Sequence, residues 1–391
     1  MPSTASKGAD GALPPAAYAA VLASLPGTGP IGLGELLREH DPHTAWELVL
    51  RGDAGRSNKR IADRPPGPGS REAPWSVAAR QVDVAAHWRR LQDGGIQVTF
   101  LGDAAYPAPL CQDPQPPGVL FYQGALATLA QPRVAIVGTR RCTGYGRETA
   151  FALGRDLARA GVSVVSGLAL GIDGAAHAGV LAALDSSPDG AAGPVGVAAS
   201  GVDRPYPRQH RDLWRKVART GVVLSETGCG QPAQAWRFPA RNRVIAGLSE
   251  VVVVVESHVR GGSLYTVDAA LDRGIEVRAV PGPVTSSSSA GTNQLLWDGP
   301  GPVRHAGDVL DVLGEVRPWP PPDRPDPRRL DGSLDDTGRR VLGAVDQTPT
   351  SMTVIAERTG LGFGQLSATL LRLETGQMVR GGGSWWERTH P

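Results

Sequence analysis

Residues 251–255 are five consecutive valines inside EVVVVVES (250–257), a run that few structures can hold. Five residues cannot cross a bilayer, and successive β-branched side chains disfavour a helix. The run predicts the buried central strand of a parallel sheet, covered on both faces. Just before it, FPARNRVIAGLSE (238–250) sets Arg241 and Arg243 one short helix away from the middle of a core. An arginine there needs a partner, and the expected partner is a phosphate-bearing ligand.

From residue 133 onward strands and helices alternate. Strands are expected at 133–138, 162–167, 194–201, 221–226, 250–257 and 275–282, with helices at 147–160, 173–184, 208–220, 241–248 and 263–273. Such alternation implies right-handed crossovers and a Rossmann-like, doubly wound, mostly parallel α/β sheet. Its ligand crevice lies at the carboxyl ends of the strands. The 391 residues leave room for more. Residues 1–12 read as a disordered tail and 13–95 as a small helical domain containing the turn LPGTGPIG (25–32) and a loop over 53–74. A helix is expected over 76–91. The sheet domain spans 96–316, a Pro-rich linker 317–336, and a winged helix 337–391: helices at 339–345, 351–358 and 363–373, then a hairpin turning at 381–383.

Charge points to the sheet domain. Residues 131–249 hold fifteen Arg/Lys against eight Asp/Glu, an excess of seven in a chain whose net charge is +2. A basic middle in a near-neutral chain suits an anionic partner for that domain. By contrast the terminal domain carries six Arg against four acids, too balanced for strong phosphate binding. Cys111, Cys142 and Cys229 form no CxxC pair, which fits a reducing cytoplasm and no structural disulfide. With no apolar run near eighteen residues, a soluble protein without membrane contact is expected.

The turn after the first strand, GTRRCTGYG (138–146), lacks GxGxxG spacing, and the second strand ends in Ser166 and Gly167 with no acidic residue. A dinucleotide cofactor is therefore not expected. Backbone amides at a helix start beside Arg140 and Arg141 suit a phosphate chain instead. The other strand-end loops are SGLALGIDGAAHAG (166–179), SETG (225–228) and WRFPARNR (236–243). Together they predict one pocket bearing Ser166, Arg140, Arg241, Asn242 and Arg243, with Phe238 or Trp236 as a stacking face for single-stranded nucleic acid.

Several other groups have plainer readings. Asp173 and His177, four apart, have no third ligand and read as an N-cap and a packed helix residue. Glu226 at a strand end reads as a partner for a neighbouring arginine. His258, Arg260 and the glycines 261 and 262 read equally as a phosphate turn or a helix cap. Ser166 has no nucleophile elbow around it.

The strings VAIVGTRRCTGYG, SGLALGIDGAAH, YPRQHRDLW, VVLSE, FPARNRVIAGLSE, GGSLYTVDAAL and AVPGPVTSSSSAGTNQLLWDG, in that order, closely resemble the DprA (Smf) family of DNA-processing proteins over about 106–313. The 25–32 turn is similar to that family's N-terminal SAM-like or helix-hairpin-helix segment. The resemblance implies a non-enzymatic recombination mediator that binds single-stranded DNA, displaces or bypasses the single-strand-binding protein, and loads a RecA-type recombinase in natural transformation. It also implies a homodimer through the Rossmann-like domain. Carried over by position, the DNA-binding residues are Gly138, Thr139, Arg140, Arg141, Ser166, Gly167, Arg237, Phe238, Arg241, Asn242 and Arg243; no cofactor or metal is implied. Leu170 stands where the family often has a basic residue, which removes one phosphate contact. The alternative is a nucleotide-processing Rossmann enzyme of the phosphoribohydrolase type. PGPVTS (281–286) and RGGSLYT (260–266) are the nearest strings to its PGGxGTxxE signature, and neither supplies the glutamate.

Overall fold

The computed structural model describes residues 13–26, 30–54, 74–187, 190–314, 334–346, 348–375, 378–382 and 385–388. The expected tail, most of the 53–74 loop, the Pro-rich linker and the tips of the 25–32 and 381–383 turns lie outside them. The chain divides into two compact units, 1–317 and 318–391.

The first unit is built on a nine-stranded sheet: β1 (Gln97–Phe100), β2 (Val119–Gly124), β3 (Arg133–Val137), β4 (Ser163–Ser166), β5 (Val195–Val197), β6 (Val222–Ser225), β7 (Val251–Val254), β8 (Glu276–Ala279) and β9 (Gly301–Pro302). Their order is β1-β2-β6-β5-β4-β3-β7-β8-β9. β3 to β9 run parallel, and all six expected strands are among them. The valine run is the interior strand β7, paired with Val134–Val137 on one side and Glu276–Ala279 on the other, and all four of its residues are buried. β1 and β2 are additions on one edge, joined antiparallel to each other and to β6. They escape the sequence pattern because they precede the regular alternation of strands and helices and are separated by the Pro-rich stretch 107–117.

After β3 the chain goes to β4 on one side, and later to β7 on the other. This reversal makes the crevice between the carboxyl ends of β3 and β7 the switch point of the sheet.

The N-terminal helices are Pro15–Ser24, Pro30–Glu39, Pro42–Arg51, Pro74–Ala79 and Val84–Asp93. The single helix expected over 76–91 is two, because the Asp83 carboxylate accepts from the Ala86 N–H and starts a new one. These helices share one apolar core with the sheet. Leu22, Leu36 and Trp46 pack in the same cluster as Val98, Phe121, Leu168 and Trp214. The boundary read at 95/96 is therefore not a boundary of packing.

The second unit is a winged helix: helices Asp336–Ala344, Met352–Thr359 and Phe363–Thr375, then strands β11 (Val379–Gly382) and β12 (Trp385–Arg388), with β10 (Thr350–Ser351) completing a small sheet. Val341, Ile355, Leu366, Leu370 and Trp386 form its own core. Among the described residues no helix is long and apolar enough to cross a membrane.

Candidate nucleic-acid interface

The turn from β3 into helix Gly144–Arg159 is closed by the protein itself. Thr143 caps the helix, its Oγ1 accepting from Gly146 N–H at 3.1 Å. Glu256, just past β7, accepts from the Thr143 N–H (2.9 Å) and hydroxyl (2.6 Å), and its carbonyl accepts from Thr139 N–H. A helix N-terminus favours an anion, and here the anion is Glu256. A Cβ on Gly146 would overlap that carboxylate, so the position requires glycine. Glu256 thereby takes two of the turn's amides, those of Thr139 and Thr143, that the sequence offered to a phosphate. What the turn does present is side chains. Arg140 and Arg141 are exposed, and neither belongs to an ion pair among the described residues.

Opposite stands helix Arg237–Gly247, whose N-terminal residues reach back across the crevice. The Arg140 guanidinium sits 4.4 Å from the centre of the Phe238 ring, a cation–π contact. Phe238 in turn leans on Tyr206, with centroids 5.7 Å apart and a 52° tilt. Arg140 and Phe238 line a cleft of about 520 Å³, and Tyr206 continues the strip into a small cavity beside it. Gly138, Thr139, Arg140, Arg141, Phe238, Arg241 and Asn242 line this cleft, with His258 and Tyr265 on the far side.

The buried arginines do other work. Arg243 forms a two-pronged ion pair with Glu226 (2.6 and 2.7 Å) and donates to the Gln115 carbonyl at 2.5 Å. Its partner is a carboxylate of the protein rather than a ligand phosphate, which corrects the opening expectation for this residue. Glu226 has the arginine-holding role expected of it. Burial pushes the Glu226 carboxyl up, and the guanidinium opposes that shift.

Arg241 donates to the carbonyls of Gly167 (2.7 Å) and Val197 (2.5 Å) and to Asn242 Oδ1 (3.2 Å). Burial lowers its pKa to about 10, so it stays cationic at neutral pH and lends its charge to the cleft floor. The Asp173 carboxylate lies beside it, and a Cβ on Gly167 would come within 2.6 Å of both groups. Asp173 is in the first turn of helix Ile172–Ser186 rather than at its N-cap, which is Gly171. Burial raises its pKa against the pull of Arg241 and the amides of Ala169 and Gly167. His177 is wholly buried in the same helix, its pKa lowered to about 4 by burial, as a packed residue should be.

Three expected contacts fall elsewhere. Ser166 is fully buried and donates to the Ile136 carbonyl at 2.6 Å, so its hydroxyl faces the sheet. Gly167 borders a small side cavity next to the cleft. Arg237 faces a different cavity, described below. Asn242 acts as a tie, donating to the Gly262 carbonyl at 3.1 Å across the crevice. Tyr206 and Tyr265 were not singled out from the sequence. The signal available for Tyr265 was its place one residue into a helix opened by the glycines 261 and 262.

Among the described residues no three His, Cys, Asp or Glu side chains gather as a metal site. The cleft offers exposed cations, aromatic faces and carboxylates held by internal partners. That combination is chemically suited to a flexible polyanion with stackable rings.

Two family models match the chain. The model described as DNA recombination-mediator protein A covers residues 97–314, and the DprA winged helix domain covers 320–382. The DNA processing protein DprA of Bacillus subtilis is 37% identical over 225 residues, 57% of this chain and 73% of that protein. A protein of Mycobacterium tuberculosis described as a putative DNA processing protein DprA is 39% identical over 356 residues, 87% of this chain and 84% of its own length. The X-ray structure of DprA from Streptococcus pneumoniae superposes with a TM-score of 0.64 at 31% identity, covering 75% of this chain and 97% of that one.

Proposed function

The chain belongs to the DNA recombination-mediator protein A (DprA, Smf) family, and on that premise we propose that it binds single-stranded DNA in the switch-point cleft. Arg140 and Arg141 meet phosphates, the half-buried Phe238 ring at the cleft lip meets a base, and the Arg241 charge beneath attracts the strand. The observation that carries this reading is Arg140: exposed, outside any ion pair among the described residues, and stacked on an aromatic ring at the mouth of the crevice. A stacked base contributes about 1–3 kcal/mol with little dependence on sequence, as a recombination mediator requires.

The finer roles come from family membership: loading a RecA-type recombinase, displacing the single-strand-binding protein, and acting in transformation or repair in the cytoplasm. A homodimer through the Rossmann-like domain has local support in Val284 and Trp297, which follow β8 and are 91% and 87% exposed. The reading is non-catalytic. A phosphoribohydrolase needs a free glutamate at the crevice, whereas Glu226 is held by Arg243 and Glu256 by Thr143.

Fluorescence anisotropy with labelled single strands and duplexes across a salt series tests the proposal. Single strands are expected to bind more tightly, with affinity falling steeply as salt rises. A preference for duplex, or release of base from AMP by the purified protein, would overturn it.

A further inference from the structure

A second cavity, of about 580 Å³, lies on the other side of helix Arg237–Gly247, at the carboxyl ends of β5 and β6 and under the N-terminal helices. Its volume is within the roughly 300–1,000 Å³ of ordinary ligand sites. Ala23, Leu25 and Leu33 form one wall, and Val197 and Val244 the other. Its lining includes an ionic group already closed on itself, Glu226, through its two hydrogen bonds to Arg243. The walls are mainly apolar, with the Arg237 and Arg241 guanidiniums and the paired Glu226 carboxylate among them, a mixture that suits a flat ring with polar edges.

The rim is equipped for such a ring. Trp236 is 55% exposed and lines the cavity, with the Arg237 guanidinium 5.1 Å from its ring centre. Trp236 Nε1 donates to Gln234 Oε1 at 2.8 Å, and Arg237 donates to Gln231 Oε1 at 3.1 Å. An indole or guanidinium N–H can only donate, so both glutamine oxygens are fixed as acceptors. Their amide nitrogens are left without a hydrogen bond among the described residues and can donate to the carbonyl or ring-nitrogen acceptors of a base.

The two cavities share a partition. Arg241 lines both, and the consecutive residues Trp236, Arg237 and Phe238 turn to opposite sides, Trp236 to this cavity and Phe238 to the switch-point cleft. We propose that this second cavity is a nucleobase subsite: a strand held in the switch-point cleft crosses the ridge at 236–238 and places an unstacked base against Trp236, where Gln231 and Gln234 donate to its edge. The subsite rests on the reading that the cleft binds DNA, and the N-terminal helices thereby form part of the DNA site.

Cross-linking separates the two claims. An oligothymidylate carrying 5-iodouracil at single positions is irradiated with the full-length protein and the adducts mapped after trypsin digestion. Trypsin cuts between Arg237 and Phe238, so adducts on Trp236 and Phe238 fall in different peptides. The expected result is an adduct in peptide 220–237, at an iodouracil position distinct from the one reaching residues 238–241. Trp236→Ala should lower affinity about 5- to 150-fold, the range that base–aromatic stacking carries, with unchanged thermal unfolding, and Trp236→Phe should restore most of it. If the strand binds and cross-links at Phe238 but never within 220–237, and Trp236→Ala binds like wild type, the subsite is wrong while the DNA reading survives. If wild-type protein binds no single strand, both fail. Loss of recombinase capture by Trp236→Ala with DNA binding intact would overturn the subsite and give the cavity to a protein side chain.

Discussion

The two walls of the switch-point cleft are both rich in arginine and use it in opposite ways. On the β3 turn, Arg140 and Arg141 stand in solvent with no ion-pair partner among the described residues. On the facing helix, Arg241 and Arg243 are buried at 7% and 8% exposure and bound to carbonyls and to Glu226. Under the proposed function one wall is a surface for the strand, and the other is the frame that holds that surface. The lesson is that an arginine motif at a strand end does not identify its own ligand. Burial decides, because a buried guanidinium must already have its partners in the free protein.

The strongest way to break this division is Arg243→Ala. If Arg243 is framework, its loss strands Glu226 in a buried site and should cost about 3–5 kcal/mol of stability, read as a large drop in the denaturant midpoint. A variant that folds normally and only loses DNA affinity would move Arg243 to the ligand wall.

A pH series sharpens the same contrast. His177 lies behind the frame with a pKa near 4, so the native state stays neutral while the unfolded chain takes a proton near pH 6.5. The His177 contribution to stability should therefore be lost as pH drops from about 6.5 towards 4, by roughly 3 kcal/mol, against the opposite trend of the buried Asp173 and Glu226 carboxyls, whose pKa values are raised, and His177→Gln should remove it. His177→Gln should leave single-strand affinity unchanged, since His177 does not line the cleft.

Arg140→Ala is the converse of Arg243→Ala. Its unfolding should match wild type within about 0.5 kcal/mol, while single-strand affinity falls roughly tenfold.

The smallest effect is expected in the winged helix. There Arg339, Arg358, Arg372 and Arg380 pair with Asp336, Asp346, Asp335 and Glu387, and Phe363, Leu371 and Trp385 are exposed. Arg372→Ala should change single-strand affinity less than twofold by the same anisotropy assay, because its charge is already balanced at an exposed site.

Much of this was legible in the sequence. The alternation of β-branched strands with amphipathic helices gave six of the seven parallel strands, all but the two-residue β9, and the winged-helix pattern, since both rest on local periodicity. Arg140, Arg141 and Phe238 were legible as cleft residues because a strand-end loop in such a sheet has one side on which to project. The partners were not. Glu256 meets Thr143 across 113 residues, and Gln115 meets Arg243 across 128. No local pattern encodes those pairings, so the turn amides looked open and Arg243 looked free. Likewise β1 and β2 stand outside the strand–helix alternation, and their place is set by the core that Val98, Val119 and Phe121 share with the N-terminal helices.

The salt dependence of single-strand binding by Arg140→Ala/Arg141→Ala, beside wild type, tests the central claim most directly. Each phosphate contact on a single strand contributes about 0.7 to the slope of log affinity against log salt. The account predicts a slope shallower by about 1.4 with unfolding unchanged. An unchanged slope would contradict it, because the strand would then be held by charges elsewhere on the protein.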